Sequence, residues 1–284
     1  MRDGLNHLRE WIGKRQSATD VVTPAPIIAM SATLDRDDPP PKDGDPLPPG
    51  WHRLYFLPRE RQSALGPDGH EARGGFLPPV PLPRRMFAGA RVTFHQPIRV
   101  GEQIRRDSEV ADIQVKQGRS GELVFVTVRH RISGPEGLAV VEDFDIVYRG
   151  SPVPGVAPEA PPPAGEPVWR RSIHPDPVLL FRFSALTFNG HRIHYDYQYA
   201  REVEGYPGLV VPGLLTAILL LDLLRRACPE AGLAEVSFRA RRPLFAGADF
   251  TIAGEPVPEG RSCRLWALDP EGALAMSAAA TFAA

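Results

Sequence analysis

The chain is poor in cysteine: of 284 residues only Cys228 and Cys263 carry thiols. That is too few for a disulfide framework or a structural zinc site, and reduced thiols are the expected state. It also has no dominant charge. The formal net charge is −1 and the pI about 6.7, so there is no basic field to hold nucleic acid or an anionic membrane surface. A long apolar run is missing too: "LLTAILLLDLLRR" is too short to span a bilayer and contains Asp222. The opening "MRDGLNHLREWIGKRQ" is charged throughout, without the apolar centre of a secretory signal. No strand leads into a glycine-rich phosphate loop of the form nucleotide enzymes use. Nucleic-acid binding, membrane insertion, dinucleotide redox chemistry and NTP hydrolysis are therefore set aside, and a cytoplasmic protein is expected.

What the chain has in excess is proline, 32 residues against 26 glycines. The prolines gather in "DDPPPKDGDPLPPG" (37–50), "GGFLPPVPLPRR" (74–85) and "SPVPGVAPEAPPPAGEP" (151–167), where missing backbone donors favour stiff, extended paths. The third divides the chain near its middle. We read it as an ordered linker over 151–168 between domains at 1–150 and 169–284.

Strand patterns dominate the first half. "ARVTFHQPIRV", "QIRRDSEVADIQV", "ELVFVTVRHRIS" and "LAVVEDFDIVYRG" alternate apolar with polar residues between "VGE", "KQGRSG" and "GPEG" turns. That predicts an antiparallel sheet with one dry face. The second half repeats the theme in "EVSFRARRPLFAGADFTIAGEPV" and "SCRLWALDPEGALAMSAAATF". A helix is expected ahead of each sheet, one after Thr23 and one at 213–226, the latter apolar nearly all round and so requiring burial on most sides. Short segments also rhyme in the same order: "VTFHQPIRVG" (92–101) with "VSFRARRPLFAG" (236–247), and "GPEGLAVV" (134–141) with "DPEGALAM" (269–276). Duplication of an α+β unit accounts for this order.

The densest chemistry lies in "LTFNGHRIHYD" (186–196), which sets Asn189, His191, Arg192, His194, Tyr195 and Asp196 between two apolar runs. With the segment up to "LVVPG", it resembles the hydratase motif of the R-specific enoyl-CoA hydratase, or MaoC-like, family. In that motif an acid is followed five positions later by histidine, and then by a glycine opening a central helix. Asn189 stands at the acid position, His194 at the histidine and Gly213 at the glycine. "FNGHRIHYD", together with "LREWIG", "DVVTPAP", "WHRLYFLP", "GPDGH" and "PLPRRMFAG", is similar to one subgroup, the mesaconyl-C(4)-CoA hydratases and mitochondrial-type 3-hydroxyacyl-thioester dehydratases. The chain departs from that subgroup at Pro212, where it usually has a histidine. The resemblance implies a double hotdog fold, two curled antiparallel sheets each wrapped around a central helix. It also implies a cofactor-free hydratase acting on an acyl-CoA, by analogy the hydration of mesaconyl-C(4)-CoA to citramalyl-CoA in itaconate breakdown or a related route.

The chemistry is consistent with these positions. Hydrating an α,β-unsaturated thioester needs a base for water at Cβ, a proton for Cα and donors for the enolate oxygen. Histidine suits the proton work, an asparagine amide can aim the water, and the N–H opening a buried helix can polarise the thioester oxygen. His194 is expected as acid and base, Asn189 as the water-positioning partner and the Gly213 N–H as the oxyanion donor. Arg84 and Arg85 are either a solvated pair or contacts to CoA phosphates or a substrate carboxylate, and Arg192 is a further substrate-binding candidate. His191 and His194, three apart, lack a third ligand pattern, so no metal is expected. The first half has no copy of the motif, so one active site per chain is expected, in a bacterial cytoplasmic protein forming homodimers through open sheet edges. A fatty-acid-type 3-hydroxyacyl-ACP or -CoA dehydratase and a non-catalytic acyl-thioester binding module are the alternatives.

Overall fold

A computed structural model describes residues 2–118, 121–150, 166–258 and 261–283. Most of the proline-rich segment expected as a linker, residues 151–165, lies outside them. Among the described residues ten strands form one antiparallel sheet. The first half supplies β1 (Arg15–Val21), β2 (Arg84–Phe94), β3 (Gln103–Gly118), β4 (Gly121–Gly134) and β5 (Gly137–Arg149). The second supplies β6 (Trp169–Ile173), β7 (Leu233–Ala240), β8 (Phe250–Pro256), β9 (Ser262–Leu268) and β10 (Leu274–Phe282). Their order is β1-β3-β4-β5-β2-β7-β10-β9-β8-β6. Read inward from either edge, each half gives its first, third, fourth, fifth and second strand.

The halves join where β2 pairs with β7, and there Val92 faces Val236. These valines open the two rhyming segments, so equivalent residues meet at the pseudo-twofold between the halves. The second rhyme marks equivalent hairpins, β4–β5 and β9–β10. The glycine ending each "PEG" turn, Gly137 at φ 108° and Gly272 at φ 83°, takes a left-handed backbone that a side chain would strain.

Three helices cover the dry face: α1 (Pro24–Thr33), α2 (Pro177–Leu186) and α3 (Gly213–Ala227). α1 and α2 each follow the first strand of a half and start at proline, which is tolerated in the first turn because its missing N–H would have no partner there. The Asp176 carboxylate caps α2 by accepting the Leu179 N–H at 2.7 Å. The two helices pack on each other. α3 is buried at every position from Leu215 to Leu224 and lies against β6, β8, β9 and β10. The one charged residue of that buried stretch, Asp222, is held by Arg36 at 2.7 Å, Arg171 at 2.7 Å and Arg226 at 2.8 Å.

The sequence repeat set the helix after Thr23 against that at 213–226. Chain order instead matches α1 to α2, and a single 3-10 turn at Trp51–Leu54 occupies the place of α3 in the first half. Prolines at 39–41, 46 and 48–49 remove the donors a longer helix would need. The first half therefore fills its sheet with an irregular chain between α1 and β2, and that chain reaches the site.

Candidate active site

After α2 the backbone turns sharply. Phe188 adopts φ 47°, and the Asn189 N–H donates to the Ser184 carbonyl at 2.8 Å. Asn189 Oδ1 then accepts the His191 N–H at 3.1 Å, an Asx turn that leaves the amide NH2 for a ligand. A 3-10 turn at Arg192–His194 ends the segment. His194 is buried, and its Nδ1 donates to the Val210 carbonyl at 2.7 Å. This bond puts the proton on Nδ1 and leaves Nε2 as a lone pair. Burial, reinforced by neighbouring His191, pushes the His194 pKa down to about 3, so the ring is neutral at pH 7.

The partner of His194 is also the approach to α3. Val210 donates its N–H to the Ile193 carbonyl at 2.9 Å, so the histidine is tied to a segment ending three residues before Gly213. Gly213 opens α3 behind Pro212, whose carbonyl accepts the Thr216 N–H at 3.1 Å. Among the described residues the Gly213 N–H has no backbone acceptor. Phe87 of β2 lies over it: a Cβ at 213 would come within 2.8 Å of the Phe87 ring. Asn189, His194 and Gly213 thus belong to one laced segment, with the first half closing over its end.

That half contributes more than a lid. Its "GPDGH" loop (66–70) packs backbone to backbone on Gly190, with no room for a Cβ at either Gly69 or Gly190. The Arg192 N–H donates to the Asp68 carbonyl at 2.9 Å. The His70 ring stacks at 4.4 Å on His191, which meets His194 edge-on at 5.3 Å. Burial pushes the His191 pKa down to about 4, and its Nε2 lies 3.6 Å from Glu204 Oε1. Glu204 is raised by its own burial, although Arg84 Nε donates to it at 3.4 Å and stacks over Tyr206 at 4.2 Å. Arg85 Nη2 stands 3.8 Å from Asp68 Oδ2.

The two arginines of β2 are therefore no solvated pair. They are 5% and 8% exposed and reach the histidines from the first half. Arg192 is placed otherwise: it donates to Asp196 at 2.8 and 3.0 Å and to the Pro67 carbonyl at 3.1 Å, stacked over Tyr199 at 4.1 Å. Its guanidinium is a clamp between halves. Asp68, His70, Glu204 and Tyr206 were not singled out from the sequence. "GPDGH" stood in the resemblance, but nothing in its spacing ties it to residues some 120 positions later.

The nearest set of metal-ligating atoms is also not the i, i+3 histidine pair. Asp68, His70 and His191 bring donor atoms within 4.8 Å of one another, yet the Arg85 guanidinium beside Asp68 already supplies the positive charge there. A second polar cluster lies in the first half, where His52 Nε2 meets Glu142 at 2.9 Å and Arg53 pairs with the same carboxylate. Burial alone would raise Glu142, but Arg53 and His52 hold it at about 2. A recess of about 720 Å³ crosses the sheet near β2 and β7. Its lining includes Arg91, Arg239, Arg241 and Arg264 with Asp145 and Glu255 but no histidine, and it holds none of the residues above.

The hydroxyacyl-thioester dehydratase type 2 family model matches residues 50–246. The chain belongs to that family. Its relatives include a mesaconyl-C(4)-CoA hydratase of Chloroflexus aurantiacus, 50% identical over 270 residues, which span 94% of this chain and 95% of that protein. A mitochondrial hydroxyacyl-thioester dehydratase type 2 of Schizosaccharomyces pombe is 27% identical over 263 residues, 82% of this chain and 87% of the yeast protein. Among solved structures a MaoC-like dehydratase superposes with a TM-score of 0.71 at 15% identity, covering 96% of this chain and 99% of its own. A Mycobacterium tuberculosis protein with a double hotdog fold gives 0.56 at 15% identity, with 96% of each chain covered. The fold is accordingly an α+β double hotdog, and this member of the dehydratase family is a hydro-lyase. Among the described residues no helix is long and apolar enough to cross a membrane.

Proposed function

We propose that the protein hydrates mesaconyl-C(4)-CoA to citramalyl-CoA, with one active site per chain and no cofactor. The observation that carries this is the state of His194: Nδ1 is committed to the Val210 carbonyl at 2.7 Å, and burial keeps the ring neutral. Its Nε2 is therefore a base already in the correct tautomer. Nε2 takes a proton from water as the oxygen attacks Cβ, and the Asn189 amide NH2 orients that water. The Gly213 N–H, at the positive end of the buried α3, holds the thioester oxygen as it becomes an enolate. The imidazolium then returns the proton to Cα. Water adds across the double bond, and the enzyme leaves the cycle as it entered. The proton on Nε2 exists only during the reaction, since a buried imidazolium costs free energy.

The substrate rests on the 50% identity to the Chloroflexus mesaconyl-C(4)-CoA hydratase. Itaconate degradation or a related carbon-assimilation route in a bacterial cytoplasm is the setting we infer. Two free cysteines suit that compartment. We also infer homodimers. β2 and β7 cover each other, but β1 and β6 remain as outer edges of the sheet; light scattering at micromolar concentration giving only 31.2 kDa particles would refute this. The enzymatic proposal is tested by a panel of enoyl-CoA thioesters assayed for loss of the conjugated double bond. Mesaconyl-C(4)-CoA is expected to give the highest kcat/KM. Preference for unbranched, uncharged enoyl chains would favour the fatty-acid-type dehydratase, and binding without turnover would favour a thioester-binding module.

A further inference from the structure

Not every buried donor beside the candidate site has a partner. The Arg85 side chain is 9% exposed, and neither its Nε nor its Nη2 has an acceptor. These two nitrogens form one edge of the guanidinium, the edge that donates two parallel hydrogen bonds to a carboxylate. Asp68 balances the charge without occupying this fork. Its Oδ2 stands 3.8 Å from Nη2, too far for a hydrogen bond, and 3.5 Å from His70 Nδ1, while Oδ1 accepts the His70 N–H at 3.1 Å. Tyr148 is the cross-strand partner of Arg85 between β2 and β5, and its buried hydroxyl has the Arg85 side chain as a polar neighbour without a hydrogen bond of full geometry. Native proteins seldom leave several adjacent buried donors unbonded unless a ligand completes them. Arg84 offers a contrast: its Nε is taken by Glu204 and its face by Tyr206.

The position is as informative as the vacant fork. Phe87, two residues along the same strand, covers Gly213. Through Asp68 and the His70–His191 stack, Arg85 also borders the histidines. In a thioester such as mesaconyl-C(4)-CoA the free carboxylate is attached to Cβ, the carbon that water attacks. Its seat must therefore lie beside the water-delivering groups, not at the far end of an acyl tunnel.

We propose that Arg85, with the Tyr148 hydroxyl beside it, binds the free carboxylate of a dicarboxylic acyl thioester and so sets the specificity of the site. This rests on the hydratase reading above and assigns Arg85 to recognition, leaving proton transfer to His194. Arg84 serves instead to hold Glu204 against His191.

The test compares kcat/KM of wild type and Arg85→Gln on mesaconyl-C(4)-CoA and on crotonyl-CoA, which has no carboxylate. A charge-assisted contact to a buried carboxylate corresponds to roughly 30- to 5,000-fold in rate. The loss on mesaconyl-C(4)-CoA is expected to exceed that on crotonyl-CoA by at least this lower factor. Equal losses on both substrates, or no loss on either, would overturn the assignment while leaving the hydratase reading intact. A wild-type enzyme active on crotonyl-CoA but inert on mesaconyl-C(4)-CoA would overturn the substrate and the carboxylate seat together. If Arg85→Gln fails to fold, the double variant Asp68→Asn/Arg85→Gln removes both buried charges, and the same selective loss is expected of it.

Discussion

Gly213→Ala tests the geometry at the start of α3. The added methyl would stand 2.8 Å from Phe87 Cδ1 and 3.3 Å from Phe87 Cβ, and the second contact cannot be relieved by turning the ring alone. Phe87 in turn packs on Phe144 at 5.3 Å between centroids, so the strain is passed into β5. Overpacking of this kind costs about 1–3 kcal/mol, and the better helix propensity of alanine returns at most about 1 kcal/mol. A net loss of about 1 kcal/mol should lower Tm by roughly 2–4 °C in a chain of this size. The kinetic loss should be larger, because moving the N–H by about 1 Å from the thioester oxygen is worth on the order of 100-fold. Thermal melts and kcat on mesaconyl-C(4)-CoA read the two effects separately. Phe87→Leu in the Gly213→Ala background should recover both in part. A Gly213→Ala enzyme with wild-type kcat and Tm would show that neither Phe87 nor the amide is placed as described.

Acid should destabilise the fold. His130, His191 and His194 are buried as neutral rings with pKa values pushed down by burial to about 4, 4 and 3, against about 6.5 in an unfolded chain. Between these limits the unfolded state binds protons that the folded state does not, so stability falls as pH drops from 6.5 toward 4, by about 2 kcal/mol per histidine at pH 5. A Tm unchanged from pH 8 to pH 5 would contradict those burials. Asp222→Asn should cost about 2–3 kcal/mol by denaturant unfolding. That is less than a fully enclosed ion pair would lose, because Arg171 and Arg226 are 30% and 33% exposed; an unchanged midpoint would mean that the three arginines do not need the carboxylate.

The strands that bury one face were legible because alternation records burial directly, as in "ELVFVTVRHRIS" of β4. β1, "RQSATDV", and β6, "WRRSI", gave no such signal: both are edge strands, β1 mostly exposed and β6 with a single buried residue. α2 was missed although Asp176-Pro177 is a helix start of the usual form, because "FRFSAL" alone fits a strand equally well. The rhymes located β2 and β7 but mismatched the helices, since proline had shortened the first-half counterpart of α3 to one turn. At the site, the placement of Asn189, His194 and Gly213 on one laced segment followed from their spacing in the motif. The burial of Arg84 and Arg85 was not, since their partners Glu204 and Asp68 come from distant segments and only tertiary packing removes them from water. For Arg192 the visible i, i+4 relation to Asp196 was the better guide to its place.

The proposed base is His194. His194→Asn places an amide NH2 near where Nδ1 now donates to Val210, so the structural bond can persist while the lone pair at Nε2 is lost. We predict that kcat for mesaconyl-C(4)-CoA hydration falls on the order of 100- to 10,000-fold, with the melting transition still cooperative. A folded His194→Asn enzyme retaining more than about a third of the wild-type kcat would exclude His194 as the base.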